Sequence, residues 1–183
     1  MAEHRAFFFV DPATDPREGG PTLRDEKGTL QEYLRAHRLT LELKCADLDA
    51  EQLARRSVPP STMSLLGLVR HLAHVERVWF RIRCAQQDVP LLYQTPEDPD
   101  GDFNGAVADP AVVEEAWARW REEVAFAEQY VEGCADLSTT YTHTRTGELF
   151  SMRELLVHMI EEYARHNGHA DFLRECVDGR VGM

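Results

Sequence analysis

Apolar residues recur at three- and four-residue intervals through four long stretches of the chain, the pattern of helices that turn one face to a core. The first stretch runs from about Asp25 to Asp47 and places Leu30, Tyr33, Leu34, Leu41 and Cys45 on an inward stripe. SVPPST interrupts the pattern. Ser61 or Thr62 is the expected N-cap of a second helix, which continues through LLGLVRHLAHVERVWFRIRCAQ to about Gln86. Asp109 and Pro110 form an N-cap and N1 pair for a third helix that closes at Gly133. Ser151 and Glu154 form a capping box for a fourth, which runs to about Val177 before Asp178-Gly179 stops it. A short turn-and-strand piece fits TRTGELFSM; no other strand pattern stands out.

Helices of roughly 20 to 25 residues, about 30 to 37 Å long, predict an all-α four-helix bundle over residues 23–183. Residues 1–22, with their PATDPREGGP cluster, read as an extended N-terminal arm. The connection between helices two and three, residues 87–109, is rich in Pro, Asp and Gly and far longer than most helix connections, which makes it a candidate lid.

Composition narrows the function classes. Lys and Arg number 20 against 32 Asp and Glu, a net charge of -12, so nucleic acid and anionic membrane surfaces are excluded as partners. No apolar run approaches the roughly 18 residues of a membrane span, and the apolar patch Ala6 to Val10 is too short for a secretory leader, so a cytoplasmic location is expected. Cys45, Cys84, Cys134 and Cys176 have no CxxC spacing and are expected as reduced core or near-core thiols. Trp117 and Trp120 share a face of helix three, read as core, with a homodimer seam as the alternative.

The chemistry is concentrated in EEYARHNGHADFLRE. Stepping roughly 100° per residue from His158, His169 falls near ~20°, Glu162 near ~40° and His166 near ~80°, in one stripe with Leu155, Met159 and Leu173. That face points into the bundle. On helix two, His71 lies in a stripe with Leu68, Val75, Val78 and Ile82, whereas His74 falls toward Arg70 and Arg81 at the groove edge or surface. A buried carboxylate needs a cation or strong donors. Glu162 and His166, at i and i+4, can converge with His71 on one divalent metal and leave a coordination position open; a buried hydrogen-bonded network is the competing reading. His37 and His143 lack such partners and are ranked behind. HExxH, Glu-x-x-His pairs on helices, GxSxG, Walker and GxGxxG elements are all absent.

SLLGLVRHLAHVERVWF, SMRELLVHMIEEYARHNGHADFLRE and the closing DGRVG resemble the DinB-like metal-binding four-helix bundles, specifically the mycothiol-transferase subgroup, over about residues 23 to 182. Most DinB-like proteins carry three histidines, one on the second helix and two on the last. Here Glu162 takes the place of one, similar to the His, Glu, His ligands of the metal-binding domain of mycothiol-dependent maleylpyruvate isomerase. That isomerase has a further C-terminal domain without counterpart in this sequence, so isomerase activity is not expected. The resemblance implies a divalent metal, zinc foremost, on His71, Glu162 and His166, with a low-molecular-weight thiol as cosubstrate attacking an electrophilic small molecule in detoxification or biosynthesis. His74, His158, Arg165, Asn167 and His169 are candidates for supporting the ligands or binding substrate. A metal-dependent hydrolase of a small ester or amide, and a non-catalytic metal-stabilised bundle, stay open beside the thiol transferase.

Overall fold

The computed structural model describes residues 8–18, 24–143 and 145–182. Helix α1 spans Glu26–Cys45, α2 Ala50–Ala54, α3 Leu65–Glu76, α4 Gly101–Asn104, α5 Pro110–Gly133 and α6 Met152–Asp178; strands β1 (Thr140–Thr142) and β2 (Leu149–Ser151) form an antiparallel pair with Tyr141 opposite Phe150. The chain is all-α with this one hairpin, as the periodicity predicts. The part of the N-terminal segment that is described, residues 8–18, is built of turns, and its Phe9 is buried beside Lys44, Arg174 and Arg180. The predicted arm's residues 1–7 and 19–22 lie outside the described residues.

Local chemistry explains the helix boundaries. Asp25 accepts from the Gly28 N–H, Asp109 from Ala111, and Ser151 and Glu154 close the predicted capping box, the Glu154 carboxylate accepting the Ser151 N–H at 2.8 Å. Helix α3 begins later than expected. Ser64, not Ser61 or Thr62, accepts from Gly67, because the chain stays non-helical through 61–64 and Ser61 instead accepts from the Met63 N–H. Helix α6 ends at Gly179, whose φ of 79° is the left-handed conformation glycine tolerates.

The core lies among α1, α3, α5 and α6, with α1 packed on α6 and α3 on α5. Leu34, Leu41, Leu66, Leu72, Phe80, Ala116, Trp120, Ala127, Leu155, Met159 and Leu173 fill it. Tyr33, expected on the inward stripe, is 61% exposed. It stands about 60° to one side of Leu30, while Leu34, Leu41 and Cys45 lie to the other, so the pattern itself places it on the outer flank. Trp120 is buried and meets Trp117 edge-on at 5.4 Å, which makes the pair core and core margin. Cys45 and Cys84 are buried, and burial pushes both thiols up to about 12. Cys176 is exposed on α6, which corrects its placement as a core thiol.

Two features were not legible in the pattern. Past Glu76 the helix continues as a π-helix, Arg77–Cys84, whose wider turns make residues beyond Arg77 fall behind a 3.6-residue wheel. Ile82 is therefore only half-buried, and Phe80, which the wheel sets opposite His71, is fully buried. The connection 87–109 is a docked segment rather than a free lid. Arg70 donates to the Asp102 and Gly101 carbonyls at 2.8 and 3.0 Å and stacks 3.8 Å from the Tyr93 ring, while Arg77 donates to the Pro90 carbonyl. Glycine is required at 101 and 105, where a Cβ would collide with the Tyr93 carbonyl and the Arg70 guanidinium.

Buried charge ties the helices together. Arg38 of α1 grips Glu76 of α3 with two hydrogen bonds of 2.9 Å; the Tyr163 hydroxyl donates to Glu76 at 2.9 Å and accepts from the Trp120 indole at 2.9 Å. This network joins α1, α3, α5 and α6. A second pair, Arg77 and Arg81 on Glu123, fastens the π-helical segment to α5.

Candidate metal centre

Helices α3 and α6 bring His71, Glu162 and His166 together, with potential ligand atoms all within 4.8 Å of one another. Among the described residues no other group of three His, Cys, Asp or Glu side chains is so placed. The His71 and His166 rings meet edge-on at 4.7 Å, and His166 Nε2 lies 3.5 Å from a Glu162 oxygen. Phe103, from the docked connection, stacks on His71 at 5.3 Å.

The decisive neighbour is Asp102. Its carboxylate, buried at 1% exposure, sits 2.8 Å from His71 Nδ1. Burial resists the charge, but the His71 hydrogen bond and the Phe103 N–H hold the Asp102 carboxyl below its usual range, so it is ionised and can only accept. His71 Nδ1 is then the donor of this hydrogen bond, and Nε2 is the ring nitrogen left to act as a ligand. His166 Nδ1 is 3.3 Å from His169 Nδ1, so one of the two rings donates to the other, and burial lowers the His169 pKa. The Glu162 carboxyl is held down by its hydrogen bond with His166 and by the charges of His158, His166 and His71, against the opposing effect of burial. Two imidazoles and a carboxylate are a donor set that suits a divalent metal, and hydrogen bonds of the kind that orient metal-binding histidines are in place.

The other site candidates take varied positions. His158 Nε2 stands 3.7 Å from the second Glu162 oxygen, and its ring packs on Trp79 at 4.5 Å. His169 supports His166. His74, expected at the groove edge or surface, is 5% exposed, because the docked connection covers that side of α3; Gln94 hydrogen-bonds it, and its Nδ1 has no partner among the described residues. Burial lowers its pKa, so it is neutral beside the Asp102 carboxylate. Asn167 is buried and donates to the His37 carbonyl at 3.0 Å, linking α6 to α1. Arg165 is exposed and makes no hydrogen bond or ion pair with the described residues. Sequence reasoning did not single out Asp102. It is one of six acidic residues between 87 and 109, and only the flanking Gly101 and Gly105 hint that this stretch makes a close approach.

A bundle with such a trio between its α3 and α6 helices is of the DinB-like type. The sequence matches the mycothiol-S-transferase family over residues 29–179, and the chain belongs to that family. A solved structure from Enterococcus faecalis, described as a conserved protein, shares the fold with a TM-score of 0.58 at 18% identity; the match covers 86% of this chain and 99% of that one. No curated protein matches the sequence. Among the described residues no helix is long and apolar enough to cross a membrane.

Asp102→Asn is expected to weaken metal binding by about 10- to 100-fold, since an amide can present a donor to His71 and release its tautomer. Arg70 grips backbone carbonyls of this segment, so the connection stays docked in the variant. Competition against a chelator of known affinity checks the shift.

Proposed function

We propose that this protein joins a low-molecular-weight thiol of the mycothiol class to an electrophilic small molecule, at a divalent metal, zinc foremost, held by His71, Glu162 and His166. The observation that carries the reading is the convergence of His71, Glu162 and His166, whose potential ligand atoms lie within 4.8 Å of one another, with the Asp102 carboxylate 2.8 Å from His71 Nδ1 behind them. When bound, such a metal lowers the pKa of a thiol and so supplies thiolate at neutral pH. The chain's own residues do the rest. Asp102 and His169 orient the imidazoles, His158 steadies Glu162, and Phe103 and Trp79 flank the trio with apolar surface. In the reaction the thiol gives its proton to solvent, its sulfur bonds to the acceptor carbon, and a leaving group departs with the electron pair of the broken bond.

Family membership favours this reading over metal-assisted hydrolysis and over a non-catalytic bundle. The test is to incubate the metal-loaded protein with a panel of cellular thiols and a generic electrophile and to follow conjugates by mass. Conjugation faster than the uncatalysed rate, strongest with the mycothiol-class thiol, is expected. Cleavage of activated esters without any thiol, and no conjugate, would overturn the proposal.

A further inference from the structure

A second group of side chains stands beside the trio, gathered around Trp79. Trp79 packs on His158 at 4.5 Å, on Phe150 edge-on at 5.4 Å and on His143 edge-on at 5.9 Å. Arg83, four residues further along the π-helical segment, lies over the Trp79 ring with its guanidinium carbon 3.9 Å from the centroid. Arg145 sits in the turn between β1 and β2, close enough that its charge, after burial, adds to the lowering of the Arg83 pKa. His143 Nδ1 accepts the backbone N–H groups of Arg145 and Thr146 at 3.3 and 3.2 Å, which leaves Nε2 as the nitrogen that carries a proton. The Glu148 carboxylate is the acidic group whose charge reaches His143.

This arrangement runs against the composition. Acidic residues outnumber basic ones 32 to 20, and most arginines of the chain are matched with a carboxylate, as in Arg38 on Glu76, Arg77 on Glu123 and Arg153 on Glu26. Arg83 and Arg145 are near neighbours, yet neither forms an ion pair among the described residues, and Arg83 is half-buried. Burial disfavours the Arg83 charge and the exposed Arg145 nearby repels it, a cost that an incoming anion removes. Guanidinium groups are matched in shape to carboxylate and phosphate oxygens, and an aromatic ring beneath one of them keeps it in plane. Trp79 also connects this group to the trio, because His158 touches both Trp79 and Glu162.

We propose that Arg83, Arg145 and the His143 Nε2–H form a receptor for an anionic group, carboxylate or phosphate, with Trp79 as its planar wall, on one of the two molecules joined at the trio. That the anion belongs to a reactant rests on the transferase reading; the anion site itself does not.

The experiment titrates the full-length protein, Arg83→Gln and Arg145→Gln with two matched pairs, cinnamate against cinnamamide and 3-mercaptopropionate against 3-mercaptopropionamide, by calorimetry. Circular dichroism checks that the variants keep their helices. The charged member of one pair should bind about 10-fold more tightly than its neutral partner, and each substitution should erase that preference while leaving the neutral ligand unmoved. A preference within the cinnamate pair places the anion on the acceptor, and one within the mercaptopropionate pair places it on the thiol. Equal binding of charged and neutral ligands in both pairs, or a preference that survives both substitutions, overturns the proposal. If wild type shows the preference but forms no conjugate with any thiol, the transferase reading fails and the anion receptor stands.

Discussion

His166→Ala and Glu162→Gln should each lower thiol conjugation by about three orders of magnitude while leaving the helical content of the bundle unchanged. The two substitutions remove different contributions. Alanine at 166 deletes an imidazole that is 11% exposed at its side chain and whose Nδ1 contacts His169, whereas glutamine at 162 keeps the shape of the side chain and removes only its charge. An uncharged residue 162 no longer offsets a dication between two neutral imidazoles, so Glu162→Gln should lose activity although nothing in the packing changes. Steady-state conjugation rates at saturating zinc, with circular dichroism as the fold control, check both. Near wild-type rates in Glu162→Gln would mean that the carboxylate does not take part.

The largest effect on stability is expected at Glu76. This carboxylate is fully buried and takes both guanidinium hydrogen bonds of Arg38, itself 6% exposed, together with the Tyr163 hydroxyl. Glu76→Ala strands the guanidinium in the core with only the half-exposed Glu128, at 3.4 Å, as partner. Loss of one member of a buried pair costs about 3–5 kcal/mol. For a chain of this size that corresponds to a fall in Tm of roughly 10 °C. The double variant Arg38→Met/Glu76→Leu should recover much of the loss, because it removes both charges and fills their volume with apolar atoms. Thermal unfolding followed by circular dichroism measures both variants.

The four long helices and the candidate trio could be read from the sequence because each rests on a local repeat. Glu162 and His166 sit one turn apart on α6, and His71 shares a stripe with Leu68 and Val75 on α3, so the helical period alone turns them toward one core. What escaped that reading depends on contacts distant in sequence or on a change of period. Asp102 reaches His71 across 31 residues, through a connection whose letters suggest mobility but whose Gly101, Gly105, Tyr93 and Asp102 let it dock on Arg70. His74 was placed by a wheel that knows only its own helix, so it could not register the layer that covers it. The π-helical turns after Glu76 coincide with the contacts of Arg77 and Arg81 with Glu123 on α5, a tertiary arrangement that no propensity encodes. Arg83 stacks on Trp79 within that segment, and His143 and Arg145 reach it from the hairpin, far along the chain.

The account depends above all on one divalent ion held by three side chains. Elemental analysis of the purified protein, repeated on His71→Ala, Glu162→Gln and His166→Ala, tests this directly. About one equivalent of metal per chain in wild type, zinc foremost, and a loss of it in all three variants is predicted. Metal retained at the wild-type ratio in the three variants, or wild-type protein that takes up no divalent metal when it is supplied, would contradict the account.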